Sequence, residues 1–490
     1  MYVDVGAARI QHYISRTPRL KGQRGASSWL SWATDSSRLA GQVHAIGARL
    51  RRAGIGLNPE AGEADGIISV RLPAGDDAQA TAAAREAAAE IAAYLRSVLP
   101  AIELAAVWGT GPSYLEAYRD HMKARRDDPP LLSLPPPGDF PALASCRECR
   151  AGPAVEKIDI HEDKDIGVCL DCLARYQDCY RKPGLAAQPH PGGARPPGVL
   201  PIYKEEATLA EGLKRHRVDD TARDFTALAR LGGRDTQRNH VATVYADGNA
   251  IGPFFDRVIA HGDPELKARV SAELSRVTRQ ALLEATRLVL GDDSCLPVIP
   301  HVVGGDDLVV SVVADRAWPF TIAYLTQFRE GLRAIPGLPR ELLDPVAPTA
   351  SAGLVFAHAK FPYRRAFELA AQQLYEAKQQ FNGTEPAVAW LDVTRDGEHA
   401  PAGQEAWALN DLIRLDDALR ALRTQVEPSG RSAMERLVDL SRPGVSLARL
   451  QEHARRLDRA AVLSPFLADG DAGGSTARMA GALSAARWWR

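Results

Sequence analysis

The chain has almost no net charge: 60 Lys and Arg against 61 Asp and Glu give −1 at pH 7. It is therefore not a strongly basic protein that coats nucleic acid by charge alone, and any such contact must come from local patches or neighbouring subunits. It has no run of about 18 apolar residues, so no membrane span is expected. The opening MYVDVGAARIQHYISR lacks the basic-then-apolar layout of a secretory signal. The expected compartment is the cytoplasm. Cysteine is scarce, with six residues in the chain, and four of these form two Cys-x-x-Cys pairs. Without an export signal, that usage favours metal over disulfides. What remains is a globular composition, 45% hydrophobic and 25% charged over 490 residues, enough for three or four domains with cores of their own.

Two Pro-rich stretches divide the sequence, LLSLPPPGDFPALAS (131–145) and RKPGLAAQPHPGGARPPGVLP (181–201). Both read as linkers or extended loops around a small Cys-rich unit. The expected division is a first α/β domain over 1–125, a Cys-rich segment over 126–200, a helical connector over 201–240, a second α/β domain over 241–400 and a helical end over 401–490. That end, rich in Ala, Leu and Arg, carries no recognisable chemistry.

The second α/β segment is the most legible. VATVYAD (241–247) is a short strand ending at an acid, and 264–290 reads as a long helix. LPVIPHVV (296–303) and LVVSVVA (308–314) are β-branched runs separated by GGDD, a hairpin pattern. A helix is expected over 317–333 and a strand at GLVFAH (353–358). Phe367, Ala370, Leu374, Ala377 and Phe381 share one helical stripe, which predicts an amphipathic helix over 363–381. AVAWLDV (387–393) is a final strand. The order β-α-β-β-α-β plus a further α-β is a ferredoxin-like plan.

This plan brings Asp247, at the end of one strand, and the Asp306–Asp307 pair, in a tight hairpin, to one sheet edge. Carboxylates held together repel, and a divalent cation relieves the repulsion while keeping positions for phosphate oxygens and water. Gly304 and Gly305 have no side chain, so a triphosphate can approach the hairpin closely. Gly248, Asn249, Ala250, Ile251 and Gly252 follow Asp247, and their backbone N–H groups are expected to form an anion-binding concavity ahead of a helix. Gly-Gly-Asp-Asp by itself is equally a plain turn sequence; the strand-ending Asp247 makes it a candidate site.

CRECR (146–150) and CLDC (169–172) supply two Cys-x-x-Cys knuckles. Their spacing fits a closed Cys₄ Zn²⁺ site on Cys146, Cys149, Cys169 and Cys172, structural because four protein ligands leave no position for a substrate. A redox pair, His161 in place of one thiolate, or a shifted set using Cys179 are the alternatives. Cys295 reads as a small buried core residue. RLRRAG (49–54) is either a solvated basic face or a contact for RNA or a partner.

Taken together, YADGNAIG, VVGGDDL and SAGLVFAHAKFPYRRAFELAAQQLYEAK (351–378) resemble the catalytic palm of the large, polymerase-like subunit of type III CRISPR effector complexes. The likeness to diguanylate-cyclase palms is more distant. VGAARIQHYISRTPRLKGQRGASSWLSW (5–32) is similar to the first, usually inactive palm of the same subunit. The resemblance implies an α+β fold: two ferredoxin-like palms, a zinc-binding insert between them and a C-terminal helical domain. It also implies a nucleotidyltransferase converting ATP to cyclic oligoadenylates, with Mg²⁺ or Mn²⁺ on Asp247, Asp306 and Asp307. Lys378 would contact the triphosphate, with Lys360 and Ser351 as further nucleotide contacts. Guide RNA, target RNA and other effector subunits are the implied partners. Many family members carry an amino-terminal HD nuclease domain; no His-Asp dipeptide occurs here, so DNA cleavage by such a domain is not expected. A stand-alone cyclase making a cyclic mono- or dinucleotide, and a guide-RNA scaffold with secondary catalysis, are the other readings.

Overall fold

The computed structural model describes the chain except residues 37–38, 40–53, 63–65, 74–76, 127, 134–143, 161–162, 177–208, 210, 217, 219, 223, 234–238, 402–403, 427–435, 438–446, 467–471 and 490. His161, Cys179, residues 49–53 of the basic run, residues 134–143 of the first Pro-rich linker and all of the second lie outside the described residues. The described residues form two compact units. The first comprises Met1–Ala207, Gly252–Arg276 and Ile335–Leu342; the second comprises Thr208–Ile251, Val277–Ala334 and Leu343–Arg490. The segment expected as one domain over 241–400 thus contributes to both.

In the first unit, β1 (Tyr2–Ala7) leads through α1 (Ile10–Ser15) and α2 (Leu20–Thr34) to β2 (Gly56–Leu57) and β3 (Ile67–Arg71). Helix α3 (Asp77–Val98) then precedes β4 (Leu104–Gly109) and β5 (Leu131–Ser133). The antiparallel sheet runs β2-β3-β1-β4-β5, the ferredoxin-like order with one added edge strand. Alternation explains the register: Val3 and Val5 are fully buried on β1, and Ile68 and Val70 face the interior from β3. The Cys-rich insert is a hairpin, β6 (Glu156–Ile160) with β7 (Asp163–Val168), followed by α4 (Leu170–Tyr176).

Helix α4 seats on α2 because α2 offers a glycine notch. A Cβ on Gly25 would lie 2.1 Å from the Arg175 carbonyl oxygen, and one on Gly22 would lie 2.7 Å from the Tyr176 hydroxyl. Arg175 and Asp171, both buried, pair at 2.9 Å. Tyr13 Oη donates to Asp171 at 2.6 Å, and the Arg175 guanidinium donates to the Tyr13 and Ile14 carbonyls.

The second unit begins with β8 (Asp220–Thr221) and α5 (Phe225–Ala229), then β9 (His240–Asn249). Next come α6 (Ile251–His261) and α7 (Pro264–Leu290), which the two units share, and β10 (Cys295–Leu296), paired with β8. Cys295, expected in the core, is only half-buried because it opens this two-residue strand. The hairpin β11 (Val298–Gly304) and β12 (Asp307–Val313) follows, with α8 (Ala317–Arg333), β13 (Thr349–His358), α9 (Tyr363–Gln380), β14 (Ala387–Asp392) and β15 (Trp407–Ala408). The sheet order β11-β12-β9-β13-β14-β15 has the same four-stranded ferredoxin-like core, β11-β12-β9-β13, with two further strands. Helix α8 spans the residues expected of it, while β9 and β13 run longer than expected. Both are central strands, so pairing on two sides continues past the apolar core.

Helix α9 packs on one face of this sheet through Ala366, Leu369, Ala370 and Leu374 against Tyr245, Val309, Val355 and Leu391. Gly353 permits the approach, since a Cβ there would sit 2.1 Å from the Ala370 carbonyl oxygen. The opposite face carries Trp318, Phe356 and Trp390. The chain's last residues complete it. Trp488 stacks on Phe356 at 5.2 Å, Trp489 lies 4.8 Å from Trp318, and their indole N–H groups donate to Asp392 and Asp416. The C-terminal helices α10 (Leu409–Arg414), α11 (Asp416–Val426), α12 (Leu447–Arg456) and α13 (Ala472–Ala486) therefore do more than cap the chain: they deliver two tryptophans to the palm core. Trp488→Ala removes a fully buried ring and is expected to destabilise this unit by about 3–5 kcal/mol, measured by urea unfolding.

The fold class read from the sequence is the observed one: α+β palms, a Cys₄ cluster between them and C-terminal helices. No described helix is long and apolar enough to cross a membrane.

Candidate active site in the second palm

The β12–β9 register pairs Leu308 with Ala246 and continues one step toward Asp307, the first residue of β12, and Asp247, which β9 passes before its end at Asn249. Alternation puts both on the face that carries Tyr245, Val309 and helix α9. Asp306 is the second residue of a two-residue turn closed by Gly304 and Asp307, and Gly305 precedes it with φ +57°. A glycine with positive φ at the first central position is the preferred chemistry of a hairpin turn.

Gly248 ties the two acidic segments together. A Cβ on it would lie 2.5 Å from Asp306 Oδ2 and 2.3 Å from Ile251 Cγ1, so only glycine fits. Its backbone N–H donates to the Asp306 carboxylate. Asp306 nevertheless stays protonated to higher pH than an ordinary aspartate, first because burial disfavours its charge and second because Asp247 is close. Lys378, in the last turn of α9, forms a salt bridge with Asp247 and donates to the Gly248 carbonyl at 2.7 Å. Lys378 lies one turn beyond Leu374, so the Gly353 contact that seats α9 also sets the reach of this ammonium.

Several expected contacts are placed differently. Strand β9 continues through Asn249, so Gly248 and Asn249 are ladder residues and not a loop concavity; only Ala250, at φ 55°, turns the chain into α6 at Ile251. The flank of Gly252 is open, with nothing within 4 Å of a built Cβ. Asn249 is buried, and its amide donates to Thr349 Oγ1, Ser351 Oγ and the Glu385 carbonyl at 2.9–3.1 Å. Ser351 is fully buried, donates to the Glu385 carbonyl and accepts from the Ala387 N–H. A nucleotide contact through Ser351 does not fit that interior placement. Nor does one through Lys360. Ser351 pairs with Asp247 but His358 pairs with His240, so Lys360 lies beyond the far end of β13, about 20 Å or more from the acids at about 3.3 Å per residue.

The thiols of Cys146, Cys149, Cys169 and Cys172 all lie within 4.8 Å of one another, a cluster able to hold a metal ion. It is the one such His, Cys, Asp or Glu group among the described residues; the three aspartates are not drawn that tightly together, and Lys378 takes one side of Asp247. Hydrogen bonds from the other three sulfurs hold Cys146 far below the usual thiol range; Cys149 is pushed up by Cys146 but brought to about 7 by Cys169 and Cys172, while Cys169 and Cys172 are pushed up, chiefly by Cys146 and Cys149. The sequence reading missed Thr278 and Tyr324. Thr278 sits fully buried on α7 and donates to the Gly305 carbonyl at 2.6 Å; a lone threonine within a helical apolar stripe gives no signal of this.

The fold of the second unit's sheet and helices is a palm of nucleotide-cyclase-like architecture. Residues 240–384 match the second palm domain of the Cas10/Cmr2 family, and the chain is Cas10-like. Among solved structures it is similar to a Csm1-Csm4 cassette in complex with cA4 (13% identity, TM-score 0.57) and to Csm1 in T.onnurineus (13%, 0.55). A Csm1-Csm4 cassette in complex with one ATP is also similar (15%, 0.55). In each case the match covers 99% of this chain and 69% of the other. No curated protein matches the sequence.

Proposed function

We propose that this protein is a nucleotidyltransferase that condenses ATP into cyclic oligoadenylates, with release of pyrophosphate, within a type III CRISPR effector complex. The observation that carries the reading is the meeting of Asp247, Asp306 and Asp307 at one sheet edge, with Gly248 packed against Asp306. The matched family supports it, as do similar structures described with ATP and with cA4. Other effector subunits, guide RNA and target RNA are the proposed partners, and the cytoplasm is the proposed location.

The three carboxylates fit Mg²⁺ or Mn²⁺. All are oxygen donors, and Asp306 and Asp247 repel in a way that added positive charge relieves. Bound there, the metal would lower the cost of the charge developing on the α-phosphate and on the attacking 3′-hydroxyl. The protein's own part is positioning. Gly248 N–H orients Asp306, the open flank of Gly305 leaves room for phosphate, and Lys378 supplies the nearest positive charge.

The Cys₄ cluster is proposed to hold Zn²⁺. A tetrahedral site with Zn–S of about 2.3 Å has sulfurs about 3.8 Å apart, and Cys149 and Cys169 are 3.6 Å apart.

The test is incubation with ATP and Mg²⁺ or Mn²⁺, alone and with guide and target RNA, with products resolved by mass. Cyclic oligoadenylate and pyrophosphate are expected. Product formed without any RNA would make the protein a stand-alone cyclase, and no pyrophosphate under any condition would end the catalytic reading.

A further inference from the structure

The turn that carries Asp306 is bonded by a buried side chain of α7. Thr278 projects from α7 out of a stripe of buried residues, Val270, Leu274, Val277, Ala281 and Ala285. It is itself fully buried, and Oγ1 donates to the Gly305 carbonyl at 2.6 Å. That carbonyl belongs to the peptide joining the two central residues of the turn. The two common hairpin turns differ chiefly by rotation of this peptide through roughly 150–180°. Gly305 already has φ +57°, and an aspartate also tolerates the left-handed region, so this sequence leaves both turns accessible. Flipping the peptide would rotate the Asp306 Cα–Cβ bond and swing its carboxylate away from Gly248.

The support around Thr278 is dense. A Cβ on Gly331 of α8 would lie 2.7 Å from Val277 Cγ1, so the glycine brings α8 close against α7 at this level. One heptad earlier on α8, Tyr324 is fully buried between Phe320 and Phe328, beside Thr278 and the two aspartates. Thr278 itself is fully buried in that packing, with the Tyr324 hydroxyl as a further polar neighbour.

We infer that Thr278 is a positioning residue for nucleotide condensation, its hydroxyl locking the central peptide of the Gly305–Asp306 turn so that Asp306 and Asp307 face the metal and triphosphate together. The inference rests on the proposed function for its catalytic meaning but not for its structural content.

The experiment compares Thr278→Val, which keeps the shape and removes the hydroxyl, with Thr278→Ser, which keeps the hydroxyl. Thr278→Ala stands in if the valine variant melts early. Three quantities are read on the full-length protein. In Thr278→Val, amide hydrogen exchange across residues 303–308 of the metal-free protein should quicken. Mn²⁺ binding, followed by the loss of the free-ion electron paramagnetic signal, should weaken about 10- to 100-fold, the usual effect of losing an outer-shell partner. The kcat for pyrophosphate release should fall about as much with the KM for ATP little changed, because the lost interaction orients the reacting groups without binding the nucleotide. Thr278→Ser should stay near wild type in all three. Wild-type exchange and wild-type Mn²⁺ affinity in Thr278→Val would overturn the inference even if the protein is an active synthase. If the wild-type protein releases no pyrophosphate, the functional reading falls, and exchange and Mn²⁺ binding alone decide the role of Thr278.

Discussion

Replacing Asp306 and Asp307 together by Asn should lower ATP condensation by about 10³-fold or more, equivalent to roughly 4 kcal/mol of transition-state stabilisation. Asn is nearly isosteric, so the hairpin should persist: Gly305 keeps its positive φ and Thr278 still bonds its carbonyl. What disappears is charge. Two anionic donors are lost, and with them the repulsion by Asp247 that raises the Asp306 pKa. Mn²⁺ affinity should fall in parallel while the melting temperature holds or rises, since an uncompensated like-charge cluster is relieved. Gly248→Ala provides a separate check, because it preserves all three acids and moves only one. The added methyl would meet Asp306 Oδ2 at 2.5 Å, and a displacement of about 1 Å is enough to cost about 100-fold. Full activity in the double Asn variant would remove the acid pair from the mechanism; full activity in Gly248→Ala would mean that Asp306 need not stay where the structure puts it.

Removing the proposed Zn²⁺ should cost the first unit more than any single core substitution. Structural zinc in small Cys-rich modules contributes about 10–16 kcal/mol of apparent binding free energy at neutral pH. The two knuckles have little other core: Cys146, Cys169 and Cys172 are themselves among the buried residues that the hairpin packs on, together with Ile160, Ile166 and Val168. Losing the ion leaves four crowded thiols whose neighbours already oppose one another's ionisation. The damage should spread along α4. Asp171 lies between Cys169 and Cys172, so unravelling the second knuckle breaks its buried pair with Arg175 and the bonds that seat α4 on Tyr13 and α2. Chelation or Cys172→Ser is therefore expected to expose residues 145–176 to protease and to shift the first unit's melting, with zinc content measured alongside. Asp171→Asn tests the docking alone; breaking a buried ion pair by removing one partner costs about 3–5 kcal/mol. A protein that contains no zinc yet melts normally would refute the structural role.

Much of the palm was legible because its signals are local. Helix α8 was read over 317–333 and found at Ala317–Arg333, and α7 was read over 264–290 and found at Pro264–Leu290. Apolar residues at helical spacing show there, whatever the helix packs against. The hairpin was legible for the same reason, since Gly-Gly-Asp-Asp between two β-branched runs is a short-range pattern. The polar contacts were not. Asn249 and Ser351 look like ligand contacts in a one-dimensional reading, being polar residues near a candidate site motif. The β9–β13 register turns both inward, where the Asn249 amide N–H donates to Ser351 and both side chains donate to the Glu385 carbonyl. Lys360 reads as a neighbour of the motif until strand direction sends it to the other end of the sheet. The tryptophans near the C-terminus gave no hint that they finish the palm core, because that contact joins residues more than 100 positions apart in the chain.

The sequence by itself determined which groups the proposed chemistry rests on: three aspartates with glycines beside them, and two pairs of cysteines. Carboxylates, thiols and glycines have properties that do not depend on where the chain goes. Only the tertiary structure decided which of the remaining polar groups serve the site and which serve the fold. That choice is made by strand register and helix approach, through Gly353 seating α9 so that Lys378 reaches Asp247, and through α7 presenting Thr278 to the Gly305 carbonyl. A hydroxyl or an amide has no fixed role until burial removes water as its partner and leaves it one neighbour to bond.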